Sequence, residues 1–248
     1  EVQTACDLGK YQPDAGQGSC LLADPGFYVP TIAAVAQVAC PVGTTSATGA
    51  SACTPIAPVF PTSGVLDPFN RVNGAAGASW AIGTTSLTYR IAGNRLDVQL
   101  GGPLVWAPAS FGASQEAFVT FAAVDTRSPS QGVLLKAQTG SVPNAGAISV
   151  VYDALAQRVR VSTLRTSVPV WQPYAGIAAT FVNGDQLGAR ALANGTIEVY
   201  RNGTRVGTVT LSSSDQAFFN GKGGRIGLWT LAAPATFFDD FGGGTVVP

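Results

Sequence analysis

From Asp67 onward the chain is a succession of short runs rich in β-branched and aromatic residues: LTYRIAG, RLDVQL, EAFVTFAAV, GVLLKAQ, AISVVYD, QRVRVSTL, GIAATFV, TIEVYR, TRVGTVTL and RIGLWTL. Gly, Asn and Pro punctuate them, and many alternate apolar and polar residues with the period of two that a half-buried strand requires. No long helical periodicity competes. Asn194-Gly195 and Asn202-Gly203 fit type I′ hairpin turns. Short strands joined by such turns predict an all-β fold, a two-sheet sandwich or a barrel.

The four cysteines all lie in the first 53 residues, in the loops CDLGKYQPDAGQGSC and CPVGTTSATGAS followed by AC. In both loops a glycine stands three residues after the first cysteine (Gly9, Gly43) and another four before the second (Gly16, Gly49). Three pairings are possible, and the repeated register favours each loop closing on itself, Cys6 with Cys20 and Cys40 with Cys53. Closing a loop of about 15 residues contributes roughly 3 kcal/mol in the chain-entropy model. A segment this small buries too little surface to stand without such staples. Structural zinc is the weaker reading, because the chain has no C-x-x-C knuckle and no histidine. Two local disulfides, with no methionine before Glu1, predict an exported, processed protein, secreted to the extracellular space or the cell surface. The stretch TPIAPVFPTSGVL then brings three prolines in eight residues. It reads as a semi-rigid linker over 55–66, between a cysteine-rich domain at 1–54 and a sandwich at 67–248.

Charged residues make up 11% of the chain where about 25% is ordinary, and the formal net charge is +0. Mean hydropathy is +0.25. Little charge repulsion keeps copies apart, so the composition favours association. No basic patch points to nucleic acid, and no apolar run reaches the ~18 residues of a membrane span.

Four segments, DPFNRVNGAAGASW (from Asp67), GDQLGARALANGTIEVYRNGTRVG (from Gly184), GGRIGLW (from Gly223) and FFDDF (from Phe237), occur in an order that resembles the laminin-G-like, concanavalin A-like domains of secreted bacterial proteins. That resemblance implies a jelly-roll sandwich over the last three quarters of the chain. The front end resembles the ephrin-receptor-like cysteine-rich repeats at Cys6, Gly9 and Tyr11, at ADPGFYVPT and at CPVGTTSATGASAC. It departs from them at Leu21–Ala23, where a further cysteine is usual, so one disulfide of the full pattern is lost.

Hydrolytic members of the sandwich family carry closely spaced acids of the E-x-D-x-x-E type, and this chain has none. Glu116 and Glu198 are isolated and read as solvated strand residues. With no histidine and no G-x-S-x-G elbow the acyl-transfer triads are missing too, so the expectation is a non-catalytic protein. Calcium is a candidate structural cofactor if the first and last strands bring Asp67 beside Asp239 or Asp240. Neighbouring strand residues face opposite ways, so both late acids reach one ion only across a bulge; otherwise one of these acids caps a turn or bonds Arg71. For glycans, the rings proposed as platforms are Trp171 and Tyr174, in the proline-flanked VPVWQPYAG, and Trp106, whereas Trp229 reads as core. The sequons at Asn194 and Asn202 are explained by turn geometry. Composition and the two-part design together favour a structural subunit that self-assembles through low-charge surfaces into a filament or surface layer, by head-to-tail contact. A soluble, lectin-like carbohydrate-binding adhesion module is the alternative.

Overall fold

Among the described residues of the N-terminal part the ladders are two residues long, with Gly or Pro close to most of the extended runs. The computed structural model describes residues 5–56, 59–82, 87–138 and 145–247, and the chain divides into two units, Glu1–Pro58 and Val59–Pro248. In the first unit β1 (Lys10–Tyr11) pairs with β2 (Leu21–Leu22), β3 (Phe27–Tyr28) with β4 (Val38–Ala39), and β5 (Thr44–Thr45) with β6 (Thr54–Pro55). Cys6 is bonded to Cys20 and Cys40 to Cys53, each with Cα atoms 5.8 Å apart.

The head is therefore three copies of one hairpin, where the cysteines suggest two. Gly9, Gly26 and Gly43 stand 17 residues apart and take positive φ of 78°, 83° and 82°, a region open to glycine at little cost. Each closes the same turn, through Lys10 N–H to Asp7 O, Phe27 N–H to Asp24 O and Thr44 N–H to Pro41 O. The middle copy has Ala23 and Gln37 where its neighbours have cysteines. There Gln37 Oε1 accepts the Asp24 N–H at 2.7 Å while Gln37 Nε2 donates to Asp24 Oδ2 at 2.8 Å, so a reciprocal pair of hydrogen bonds stands in the place of a disulfide.

The second unit is two large antiparallel sheets. One has the strand order β21 (Thr204–Thr210), β20 (Thr196–Arg201), β19 (Gln186–Ala191), β13 (Gln115–Ala123), β23 (Phe237–Thr245), β11 (Leu96–Val98), β10 (Tyr89–Ile91) and β8 (Gly74–Ala75), and β7 (Val65–Asp67) also pairs with β23. The other runs β17 (Val168–Pro173), β16 (Arg158–Arg165), β15 (Ala147–Asp153), β14 (Ser130–Ala137), β22 (Arg225–Leu231), β12 (Gly101–Trp106) and β9 (Trp80–Ala81), with β18 (Ile177–Ala178) on β16. The last two strands fill the middle of the sheets, β22 between β12 and β14 and β23 between β11 and β13. This is the jelly-roll sandwich that the sequence predicts. Alternating residues of both sheets meet inside, among them Val133, Val150 and Val161 from one and Ala117, Val119 and Leu187 from the other.

Among the described residues one helix, α1 (Ser213–Phe219), interrupts the β pattern. Its signal in the sequence is short: Ser212 caps it by accepting the Asp215 N–H, and Asp215 lies in the first turn.

Residues 59–66, read from sequence as the end of a linker, belong to the sandwich. Phe60 stacks on Tyr200 with ring centroids 3.9 Å apart, over Gly188, where an added Cβ would lie 2.1 Å from the Phe60 ring. This strap corrects the reading of Glu116 and Glu198 as solvated. Glu116 is 0% exposed: its Oε1 accepts from the N–H and hydroxyl groups of Thr62 and Ser63, and its Oε2 from Nε and Nη2 of Arg190. Glu198, also buried, accepts from Tyr200 Oη and Arg205 Nη1, both at 2.7 Å.

Candidate functional site: the outer face of the eight-stranded sheet

Along β22, Ile226 and Leu228 turn into the core and Thr230 bonds the buried Tyr89 hydroxyl, so the period of two turns Trp229 and Leu231 outward. The same alternation turns Leu134 outward on β14, Ala147, Ser149 and Val151 on β15, and Arg160 and Ser162 on β16. Leu134, Ala147 and Val105 form a small apolar cluster separate from the core, and Trp171 and Trp229 pack on it.

Trp171 belongs to the edge strand β17, and three strands, β16, β15 and β14, separate it from β22. On a flat sheet, four steps of about 4.8 Å would put their backbones roughly 19 Å apart. Their ring centroids are nevertheless 5.2 Å apart, with the planes at 64°. Two indole side chains cannot span that gap, so the sheet curls toward this face and both rings lean over it. Beside the pair lies a groove of about 230 Å³ lined by Ser130, Ser149, Ser162, Arg160, Pro173 and Leu231. Both indoles are partly exposed, and among the described residues neither of their N–H groups has a protein partner. Arg160 is held in place by Asp153, 3.2 Å away, and by the carbonyl of Pro129. The groove thus offers two aromatic surfaces, three hydroxyls and a guanidinium already neutralised by a carboxylate.

The residues singled out from sequence fall in different places. Trp171 lines the groove, and Trp229, read as core, is its partner there. Tyr174 is not a platform: it packs against the core, its hydroxyl donates to Asp215 Oδ2 and it accepts the Ser212 N–H. Burial first, and then the Asp215 carboxylate, raises its phenol above the usual range. Asp215 also takes the Thr163 hydroxyl at 2.6 Å, with Arg165 Nε 2.7 Å from its other oxygen as an ion pair lacking hydrogen-bond alignment. Tyr174 thus fastens the chain after β17 to α1. Trp106 is 9% exposed and packs edge-on to Trp80 at 5.3 Å, inside the sandwich.

Asp67 is spent on protein donors. Its Oδ1 accepts from the Phe69 N–H and Arg71 Nη1, and its Oδ2 from Arg71 Nη2 and Trp80 Nε1, at 2.7 to 3.0 Å. Arg71, offered from sequence as a partner for Asp239 or Asp240, is thus bonded to Asp67 instead. A bulge does separate Asp239 from Asp240, which takes φ +45°. Burial, with the charges of Asp240 and Asp67, raises the Asp239 carboxyl above its ordinary range, against the Asp240 N–H bond that lowers it. Among the described residues no group of three or more acidic, cysteine or histidine residues is placed to hold a metal. At the sequons, Asn194 Oδ1 accepts the Thr196 N–H, and Asn202 bonds both Gln186 and Asp185.

Among the described residues no helix is long and apolar enough to cross a membrane. No family model matches the chain, and no curated protein matches it in sequence. Solved structures do resemble it. A carbohydrate-binding module from Bacillus subtilis is 16% identical with a TM-score of 0.46, over 67% of this chain and 94% of that one. SCLam, a non-specific endo-β-1,3(4)-glucanase, is 12% identical with a TM-score of 0.48, over 76% and 92%. A galectin from Caenorhabditis elegans is 12% identical with a TM-score of 0.40, over 60% and 93%.

Proposed function

We propose that the protein is a secreted or cell-surface carbohydrate-binding module, lectin-like and without catalysis, whose site is the groove beside Trp171 and Trp229. The observation that carries this reading is the pair of partly exposed indoles at 5.2 Å beside Ser130, Ser149 and Ser162. A sugar ring has apolar C–H faces and a polar rim. Indoles take the first, and hydroxyls with free indole N–H groups take the second. Because Asp153 neutralises Arg160, the site suits uncharged sugars rather than polyanions.

Glycoside hydrolysis needs two carboxyl groups about 5 to 9 Å apart across the scissile bond. The groove lining contains no acid. We place glycan binding ahead of a filament-forming role for the sandwich because this outward face carries a shaped groove with donors left over. Retardation of the full chain in native gels cast with neutral polysaccharides tests it: retardation in at least one gel, lost in Trp229→Ala, is the expected result. Unchanged mobility in neutral glucans, mannans, galactans and xylans would contradict it.

A further inference from the structure

The three hairpins of the head are joined by one interface used twice. Between the first and second copies the bonds are Gly9 N–H to Val29 O, Gln12 N–H to Ala34 O and Ala33 N–H to Cys6 O. Between the second and third they are Gly26 N–H to Ser46 O, Val29 N–H to Ala50 O and Gly49 N–H to Ala23 O. These are the same three bonds moved along by one repeat, the third copy being one residue shorter before Gly49. Lengths agree bond for bond, at 3.0 and 3.1, 3.0 and 3.0, and 2.7 and 2.7 Å.

The series stops where the repeats stop. At the back of the third copy the groups awaiting the next repeat are the N–H of Gly43, the N–H of Ser46 and the carbonyl of Cys40. At the front of the first copy their counterparts are the carbonyls of Gln12 and Gln17 and the N–H of Gly16. None of these six groups has a protein partner among the described residues. Two donors and an acceptor at one end match two acceptors and a donor at the other. Repeat arrays of this kind are held by nearest-neighbour contacts and normally carry polar caps at their ends. Among the described residues of the head no such cap is present: Val42, beside Gly43, is fully exposed, and Leu8, Ile32 and Val35 are also exposed. Asp7, Lys10, Asp14 and Asp24 are the only charged side chains among residues 5–56.

We propose that the occupant of each open end is a second copy of this chain, the front of one head continuing the stack at the back of another. Gly43 and Ser46 N–H then donate to Gln12 and Gln17 carbonyls, and Gly16 N–H to the Cys40 carbonyl, with Val42 buried in the junction. The contact is heterologous, so it propagates unless its rotation closes a ring. It uses none of the glycan groove, and the two readings stand or fall separately.

Sedimentation velocity of the full chain over a concentration series tests it. The expected result is a weight-average sedimentation coefficient that climbs with concentration. Ser46→Pro removes one junction donor together with the Ser46 hydroxyl bond to Phe27 O inside the head, whereas Val42→Lys puts a charge in the junction from a side chain that makes no demands on folding. Each weakens association by about tenfold or more. Because Val42→Lys spoils only one end, adding it to wild-type protein caps growing chains and lowers their mean size. A wild-type chain that stays monomeric at every concentration overturns the proposal. So does association that is indifferent to both substitutions.

Discussion

Glu116 and Arg190 face each other directly across β13 and β19, joined by two hydrogen bonds at 2.9 and 2.7 Å, and the strap at Thr62–Ser63 closes over them. Removing one member of a buried pair leaves the other charge uncompensated, at a cost of about 3 to 5 kcal/mol. Glu116→Gln is therefore expected to lower the urea midpoint of the sandwich strongly. A shift of less than about 1 kcal/mol would show that the strap is not anchored there.

The same carboxylate sets a pH dependence. Burial alone would raise its pKa, but the bonds from Ser63, Arg190 and Thr62 outweigh that and hold it below the ordinary carboxylate range. A group whose folded value lies below the unfolded one, about 4.3 for glutamate, contributes stability that is complete above the unfolded value. That contribution is lost as pH falls through the folded value. Wild-type stability is expected to fall below about pH 4 more steeply than that of Glu116→Gln, and equal acid slopes would refute the assignment.

In the head, the exchange between Asp24 and Gln37 occupies the place of a disulfide. The double variant A23C/Q37C is expected to form a third one, detected as a loss of about 2 Da against the reduced form. It should raise the melting temperature of the head by constraining a loop of similar length, worth roughly 3 kcal/mol in the entropy model. Two free thiols persisting after oxidation would mean that the middle copy is not equivalent to its neighbours.

Tyr174 and Asp67 separate structure from recognition. Loss of the Tyr174 hydroxyl in Tyr174→Phe removes one donor to Asp215 and is expected to cost about 1 kcal/mol while leaving glycan retardation unchanged. Asp67→Ala strands Arg71 and Trp80 Nε1 and is expected to cost about 3 kcal/mol, whereas calcium or chelator leaves the wild-type melt where it is. A calcium-dependent melt would return Asp67 or Asp239 to the role of ligand.

How much of this is legible in the sequence depends on distance along the chain. The period of two and the Asn-Gly turns are local, and the sandwich follows from them. The third hairpin is hidden because Ala23 and Gln37 replace the cysteines that draw the eye, although the 17-residue spacing of Gly9, Gly26 and Gly43 records it. Glu116 misleads for a different reason: what buries it is Thr62 and Ser63, some fifty residues earlier, and nothing on its own strand announces them. Trp229 had a usable signal. With Ile226 and Leu228 inward, alternation alone turns it outward, and a reading by residue type as core overrides that. Its approach to Trp171 across three strands depends on the curl of the sheet and the lean of both rings, which no local pattern encodes.

The most direct measurement follows the four tryptophan indole N–H resonances of the ¹⁵N-labelled full chain while an oligosaccharide of the retarding polysaccharide is added. Two of these groups, those of Trp171 and Trp229, are free beside the groove, whereas Trp80 Nε1 is bonded to Asp67 and Trp106 is enclosed in the core. The Trp171 and Trp229 signals are expected to move together and saturate, with Trp80 and Trp106 unmoved. Saturable shifts at Trp80 or Trp106 with the other pair unchanged would contradict it.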